Sequence, residues 1–269
     1  MFFFGFCGKC SEELKSRGDE LSSIVMYDEI LADASGGTLD TVFHSLSNRR
    51  VYKSRLGFDP LVKQLDGSKN EANYTVANEN FMSFAKDIKK WVGMFVMSAV
   101  MANCIRRSNA VNGYSKSLRY RECMVYHSFY AGVINIIQNI CLACIILNPI
   151  LSYISLKIGI LPKPGEGPSE DMLQNGFLRV TAIGRGKTGR ECKCSLYFPS
   201  DPGYKDTARM LVESGMCIIL AGNHSKSANS VDISKDPRCG VLTPASCQGL
   251  PLLERLISTG CSFTMDITK

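Results

Sequence analysis

Phe177-Leu-Arg-Val-Thr-Ala-Ile-Gly-Arg-Gly-Lys-Thr-Gly-Arg-Glu-Cys-Lys-Cys-Ser-Leu-Tyr-Phe198 is the stretch whose pattern decides the fold. Leu178, Val180 and Ala182 alternate with polar residues and fall on one face of a strand. Cys192, Leu196 and Phe198, with Cys194 between them, do the same on a second strand, while Lys193, Ser195 and Tyr197 face the other way. Gly184 to Gly189 suits the hairpin loop between them. Gly184-Arg-Gly-Lys-Thr188 imitates the end of a phosphate-binding loop, but position 181 holds Thr181 where that loop needs glycine. A strand also follows where a helix would have to begin, so the segment reads as a turn.

Downstream, Thr207 to Leu220 reads as a helix carrying Met210, Leu211, Cys217 and Ile218. Leu250 to Ser258 reads as another, stopped by Gly260, and Cys261 to Met265 as a closing strand. Upstream, Leu161 to Pro168 is a linker or turn by composition, Ser22 to Leu31 a strand, and Thr38 to Leu46 a helix. The polar tract Lys63 to Asn80 reads as a surface loop or insertion. Strands and helices mix without strict alternation, which gives an α+β fold: a mixed sheet covered by helices, with a long apolar helix inserted. The expected organisation is an ill-defined segment over residues 1–36, then a partial substrate-side domain over 37–122 with its insertion at 63–80. An apolar membrane-associating region over 123–160 and a C-terminal α+β part over 161–269 complete it.

The chain has 269 residues, 45% hydrophobic and 21% charged, which is globular usage and excludes disorder as the default. A net charge of +6 permits attraction to anionic surfaces without establishing it. Twelve cysteines lie partly in apolar stretches (Cys104, Cys141, Cys144, Cys217), where a thiol acts as a small core residue. No secretory signal is legible, and a reducing, cytosol-facing compartment is expected.

No charged residue occurs from Cys123 to Leu156, and Pro149 should end a helix begun there. Cys123 to Asn148 as a helix would extend roughly 39 Å. A basic cluster precedes it: Arg106, Arg107, Lys116, Arg119 and Arg121. Ser128, Asn135, Gln138 and Asn139 form a polar stripe, with Val133, Ile136, Ile137, Ile140 and Cys144 on the other side. Three settings stay open: insertion in a membrane surface, burial inside the domain, and a full span. The interfacial setting spares the polar stripe from lipid and puts Arg106, Arg107, Arg119 and Arg121 near headgroups, with Ile136, Ile137 and Ile140 inserted.

Pro202-Gly-Tyr-Lys-Asp-Thr-Ala-Arg-Met-Leu-Val212 and Cys239-Gly-Val-Leu-Thr-Pro-Ala245, followed by Leu252-Leu-Glu-Arg-Leu-Ile257, Gly260 and Phe263, carry a family likeness. Together they resemble the C-terminal end of saccharopine dehydrogenase-like oxidoreductases, in which Gly-Tyr-x-x-Thr opens a helix and Gly-Val-x-Thr-Pro leads into a Leu-x-x-Arg-Leu helix. Gly37-Thr38, Arg106-Arg107-Ser108 and Gly167-Pro168-Ser169-Glu170 appear in the family's order, so the likeness extends from Gly37 to Met265. Ala208 stands where the family often has proline, and the glycine-rich nucleotide-binding half that should precede Gly37 is not legible. The resemblance implies a hydride-transferring enzyme using NAD or NADP, on lipid-like substrates as in the related trans-acting enoyl reductases. It also implies that this chain, lacking the Rossmann domain, holds no cofactor of its own, and that catalysis needs that domain supplied by a longer transcript or by a partner chain. It suggests Tyr204, Thr207 and Thr243 as substrate-side candidates, although these residue types also simply set turn geometry.

Cys7-Gly-Lys-Cys10 has the spacing of half a zinc site, yet two further ligands at compatible spacing are not legible, so no metal is expected. His44, His127 and His224 form no local ligand pair, and no Ser-His-Asp set or carboxylate pair is visible. Nucleic-acid binding is not expected, because the basic residues lack interleaved stacking aromatics. Two functions remain: an oxidoreductase part acting at a membrane or lipid-droplet surface, or a non-enzymatic membrane- or droplet-associated protein derived from that family.

Overall fold

The computed structural model describes residues 4–33, 37, 39, 41, 73–76, 81–159, 161–162, 165–225 and 242–268. Helix α1 (Phe4–Ser16) leads into β1 (Leu21–Leu31), followed by β2 (Asn73–Val76), β3 (Met82–Ala85), β4 (Lys90–Met94) and α2 (Ser98–Asn112). Strand β5 (Ser117–Tyr126) then precedes α3 (Phe129–Leu147), α4 (Pro149–Lys157) and α5 (Glu170–Asn175). The hairpin β6 (Phe177–Gly186) and β7 (Glu191–Phe198) is followed by α6 (Lys205–Ser225), α7 (Pro244–Cys247), α8 (Gly249–Ser258) and β8 (Ser262–Thr268).

One mixed sheet runs in the order β3-β4-β5-β1-β6-β7-β8. β1 pairs parallel with β5 and antiparallel with β6. β2 pairs parallel with the first half of β5, and β4 antiparallel with its second half. Cross-strand partners share a face, so the inward rows can be read from the register. Ile24, Met26, Asp28 and Ile30 of β1 line up with Leu118, Tyr120, Glu122 and Met124 of β5, and with Leu178, Val180 and Ala182 of β6. α1, α2, α6 and α8 cover this face and enclose the main core with it.

The opposite face carries a small apolar cluster of Tyr27, Val92, Cys123 and Ile183. Ion pairs surround it: Arg185 with Asp87 at 2.8 Å and Glu191 at 2.6 Å, and Lys90 with Glu29 at 2.7 Å. An antiparallel-rich sheet tolerates such a solvated face.

The hairpin expectation holds. Leu178 pairs with Phe198, Val180 with Leu196 and Ala182 with Cys194, and Gly189 takes φ +92° in the turn, where a side chain would be strained. The helices expected at Thr207 and Leu250 and the strand expected at Ser22 are present as α6, α8 and β1. The closing strand is β8.

Several readings need correction. The segment 1–36 supplies α1, whose Phe6, Cys7, Cys10 and Leu14 are buried, and the central strand β1. The polar tract 63–80 includes strand β2. The run Trp91 to Ile105 divides into β4 and α2. Cys123 to Tyr126 belong to β5, so the apolar helix begins only at Phe129 and a boundary at residue 122 cuts a strand. Ser128 caps α3, its Oγ accepting from Ala131 N at 3.1 Å. Asn148 caps α4 in the same way, with Pro149 in the first turn where its missing N–H costs nothing. The helix expected over Thr38 to Leu46 lies outside the described residues except at Leu39 and Thr41.

Leu252 and Leu256 are the buried pair of α8, while Leu253 is only partly buried. Leu256→Ala is expected to cost ~2–5 kcal/mol in urea unfolding. Ile257→Ala, on the exposed side of the same helix, should stay within about 0.5 kcal/mol. Equal losses would show that this helix register is wrong.

Candidate functional site

α3 packs on the same sheet face as α1 and α2, but at the β3–β4 edge. Trp91 stacks edge-on against Phe129 (5.1 Å) and Phe84 (5.4 Å), and Tyr126 Oη donates to Asn135 Oδ1 at 3.0 Å. Gly132 makes the close approach possible, since a Cβ there would overlap the Met82 side chain and the Tyr126 ring. Among the described residues this is the one helix long and apolar enough to cross a membrane. Its 19 residues would extend about 28 Å. Little of it is covered. Tyr130 is 77% exposed, and Ile134, Ile137 and Ile140 each more than half; Ile150, Tyr153 and Ile158 continue the apolar surface over α4.

Between α3 and the sheet lies a cleft of about 570 Å³ lined by Ile30, Met124, Tyr126, Ala131, Ile134 and Gln138 among others. The volume falls in the range of small-molecule sites, and His127, Ser128, Asn135 and Gln138 make the lining mixed, polar as much as apolar. Along the same inward rows, the next residues beyond Ile30 and Met124 are Asp28 and Glu122, which the register sets diagonally across β1 and β5. Both are buried, with Tyr120 beside them. Burial holds the Asp28 carboxyl well above the ordinary carboxylate range, and the charge of Glu122 pushes the same way. Burial and Glu122 likewise raise the Tyr120 phenol. A neutral acid behind such a cleft can donate a proton or a hydrogen bond.

The other expected site residues have different surroundings. Tyr204 N donates to Asp201 Oδ2 at 2.6 Å and Thr207 Oγ1 to Pro202 O at 2.6 Å, both at the start of α6. Thr243 is buried, caps α7, and shares a hydrogen bond with Ser108 Oγ at 2.7 Å. α6 meets Gln248, just beyond α7, at Ser214, ten residues and about 15 Å along the helix from Tyr204. The structure therefore does not join the two turns into one site.

Ile137 and Ile140 are exposed, whereas Ile136 is buried beside Gly132, on the side that meets the sheet. Arg119 and Arg121 project from the face of β5 opposite α3, together with Cys123, so they do not flank the apolar helix. Arg106 and Arg107 lie half-buried on α2. The structure also brings Cys10 beside Cys192 and Cys194, a grouping invisible to local spacing. Asp28 and Glu122 were equally missed, although each is a charge in phase with its strand's buried residues.

Curated relatives give the comparison. A protein of Mycobacterium tuberculosis (strain H37Rv) named as a trans-acting enoyl reductase is 32% identical over 184 residues, covering 64% of this chain and 40% of that protein. The trans-acting enoyl reductase of Mycobacterium ulcerans is 31% identical over 177 residues, 63% of this chain and 40% of its own length. That of Mycobacterium bovis (strain BCG) is 28% identical over 184 residues, with 63% and 40% covered. The chain thus spans 40% of the length of the relatives it matches. No family model matches it. No solved structure matches it either. The names support an oxidoreductase-like relative.

The buried carboxyl of Asp28 carries a pH signature. A carboxyl with a raised folded pKa loses its proton first in the unfolded chain, so its contribution is fully present below about pH 4 and is lost as pH rises toward the folded value. Asp28→Asn, which mimics the neutral acid, should remove a fall in stability of up to ~1.4 kcal/mol per pH unit. Chemical unfolding at pH 5, 6, 7 and 8 measures it. Parallel profiles for the two proteins would mean that Asp28 is not held neutral.

Proposed function

We propose that this chain forms the substrate-holding part of a saccharopine dehydrogenase-like oxidoreductase of the enoyl-reductase type, receiving a lipid-like substrate at a membrane or lipid-droplet surface. The observation that carries the proposal is the double use of α3. One side lines the cleft above Ile30 and Met124, and the other exposes Ile137 and Ile140. A helix lying in the interface would place the cleft mouth among acyl chains. The relatives' names support the reaction class, and the neutral acid behind the cleft suits a proton-donating role.

Two turns among the described residues that could approach a phosphate are poorly suited to a dinucleotide. Where α6 opens after Gly203, the N–H groups of Ser200 and Tyr204 are already taken by the carboxylates of Asp206 and Asp201, which would repel a pyrophosphate. Gly184 to Gly186 end strand β6, and Lys187 and Thr188 begin the turn into β7, so the segment opens no helix. In this reading NAD or NADP is held by a nucleotide-binding part outside the described residues, and no hydride step is derived through it.

Flotation with liposomes, combined with titration of a fluorescent long-chain enoyl thioester, tests the proposal on the full chain. Each isoleucine side chain inserted contributes about 1.5–3 kcal/mol, so Ile137→Ser with Ile140→Ser should weaken membrane partition ~100-fold or more. Arg119→Gln with Arg121→Gln should change it little, because these side chains leave the opposite sheet face. Ala131→Phe, which fills the cleft, should reduce thioester affinity at least about tenfold while leaving flotation intact. Flotation without thioester binding would favour the non-enzymatic membrane protein, and neither would overturn both readings.

A further inference from the structure

Three sulfur atoms meet inside the main core, away from the cleft residues. Cys10 comes from α1, Cys192 and Cys194 from β7; all are free thiols and fully buried. Cys10 Sγ lies 3.6 Å from Cys194 Sγ, Cys192 Sγ lies 3.8 Å from Cys194 Sγ, and the three atoms all fall within 4.8 Å of one another. Local structure explains the convergence. Residues two apart on a strand share a face, which aims Cys192 and Cys194 together. α1 crosses above and lays Cys10 over them. Gly184, the cross-strand partner of Cys192, leaves the room, since a Cβ there would sit 3.0 Å from Cys10 Cβ and 3.1 Å from its Sγ.

The donor set selects the ion. Sulfur ligands favour soft cations such as Cu(I) and zinc, whereas carboxylate and water suit harder ones. Structural zinc takes four protein ligands, and catalytic zinc takes three with an open position for water. Among the described residues this group offers three, with no imidazole or carboxylate, and it is sealed from solvent. An ion held about 2.3 Å from three coplanar sulfurs spaces them about 4.0 Å apart, within a few tenths of an ångström of the two measured separations.

We propose that Cys10, Cys192 and Cys194 form a three-coordinate site for a soft monovalent cation of the cuprous kind. Binding exchanges thiol protons for the ion and changes no oxidation state.

The test is anaerobic titration of the reduced full chain with Cu(I) against a colorimetric Cu(I) chelator. One equivalent should be withdrawn from the chelator. Cys10→Ser, Cys192→Ser and Cys194→Ser should each lower affinity at least ~100-fold, more than the loss of an outer-shell partner usually causes. Cys141→Ser with Cys144→Ser, which removes the exposed thiols of α3, should leave it unchanged. Copper lost with the α3 thiols, or retained in the Cys194 variant, overturns the proposal. Should a core variant fail to fold, X-ray absorption of the copper-loaded native chain decides alone. Three sulfur neighbours are expected; two sulfurs, or any nitrogen or oxygen neighbour, overturn it.

Discussion

The molecule depends on the pairing of β1 along both its edges. From Leu21 to Leu31 its backbone is engaged by β6, and from Ser23 to Asp28 also by β5. The parallel β1–β5 contact joins the C-terminal β6-β7-β8 meander to the β3-β4-β5 edge. It also phases the two inward rows, so that the four covering helices share one core. If β1 slipped by one residue, Ile24 and Met26 would turn to the solvated face. The core and the acid pair would be lost together.

This dependence explains what could be read from the residues. β6 and β7 were legible because one face is buried and the other solvated, which writes period two into the chain. α6 and α8 were legible for the corresponding helical reason, and Pro149 correctly marked a stop. Where burial does not write a period, legibility failed. Cys123 to Tyr126 and α3 share one uncharged run, because a central strand and a surface helix can both lack charge, and only Ser128 marks the joint. β2 lies in a polar tract and contributes only four residues, Asn73 to Val76, to the pairing with β5. α1 is short, and its buried positions count only once β7 lies beneath them.

The candidate site was less legible than the fold for a related reason. Its lining draws on β1, β5 and α3, and no local window contains all three. Asp28 still left a trace: Ile24, Met26, Asp28 and Ile30 form one alternating row with a charge in it, a pattern with a high desolvation cost. Tyr120, Glu122 and Met124 repeat the trace. Thr243 drew attention through a turn motif, and its hydrogen bond to Ser108 holds α7 against α2 while its bond to Ser246 caps α7. The helix register shows the same limit. Ile136 and Ile137 are neighbours in sequence, yet one meets the sheet and the other faces out.

The wide separation of β1 from its partners has a consequence for synthesis. Ser23 waits for Arg119, 96 positions on, and Met26 for Ala182, 156 positions on. At ribosomal rates of about 5–20 residues per second, the second wait lasts roughly 8–30 s. Until Arg119 emerges, Ser22 to Leu31 is a β-prone apolar segment with both edges open, and until Ala182 emerges it keeps one edge open, the kind that recruits other chains. Asp28 has an ordinary carboxylate pKa while the chain is unfolded and is therefore charged. It then works as a gatekeeper within the aggregation-prone stretch. The carboxyl that burdens the finished core thus protects the nascent strand, and closure of the sheet over a protonated Asp28 ends that protection only when the edges are filled.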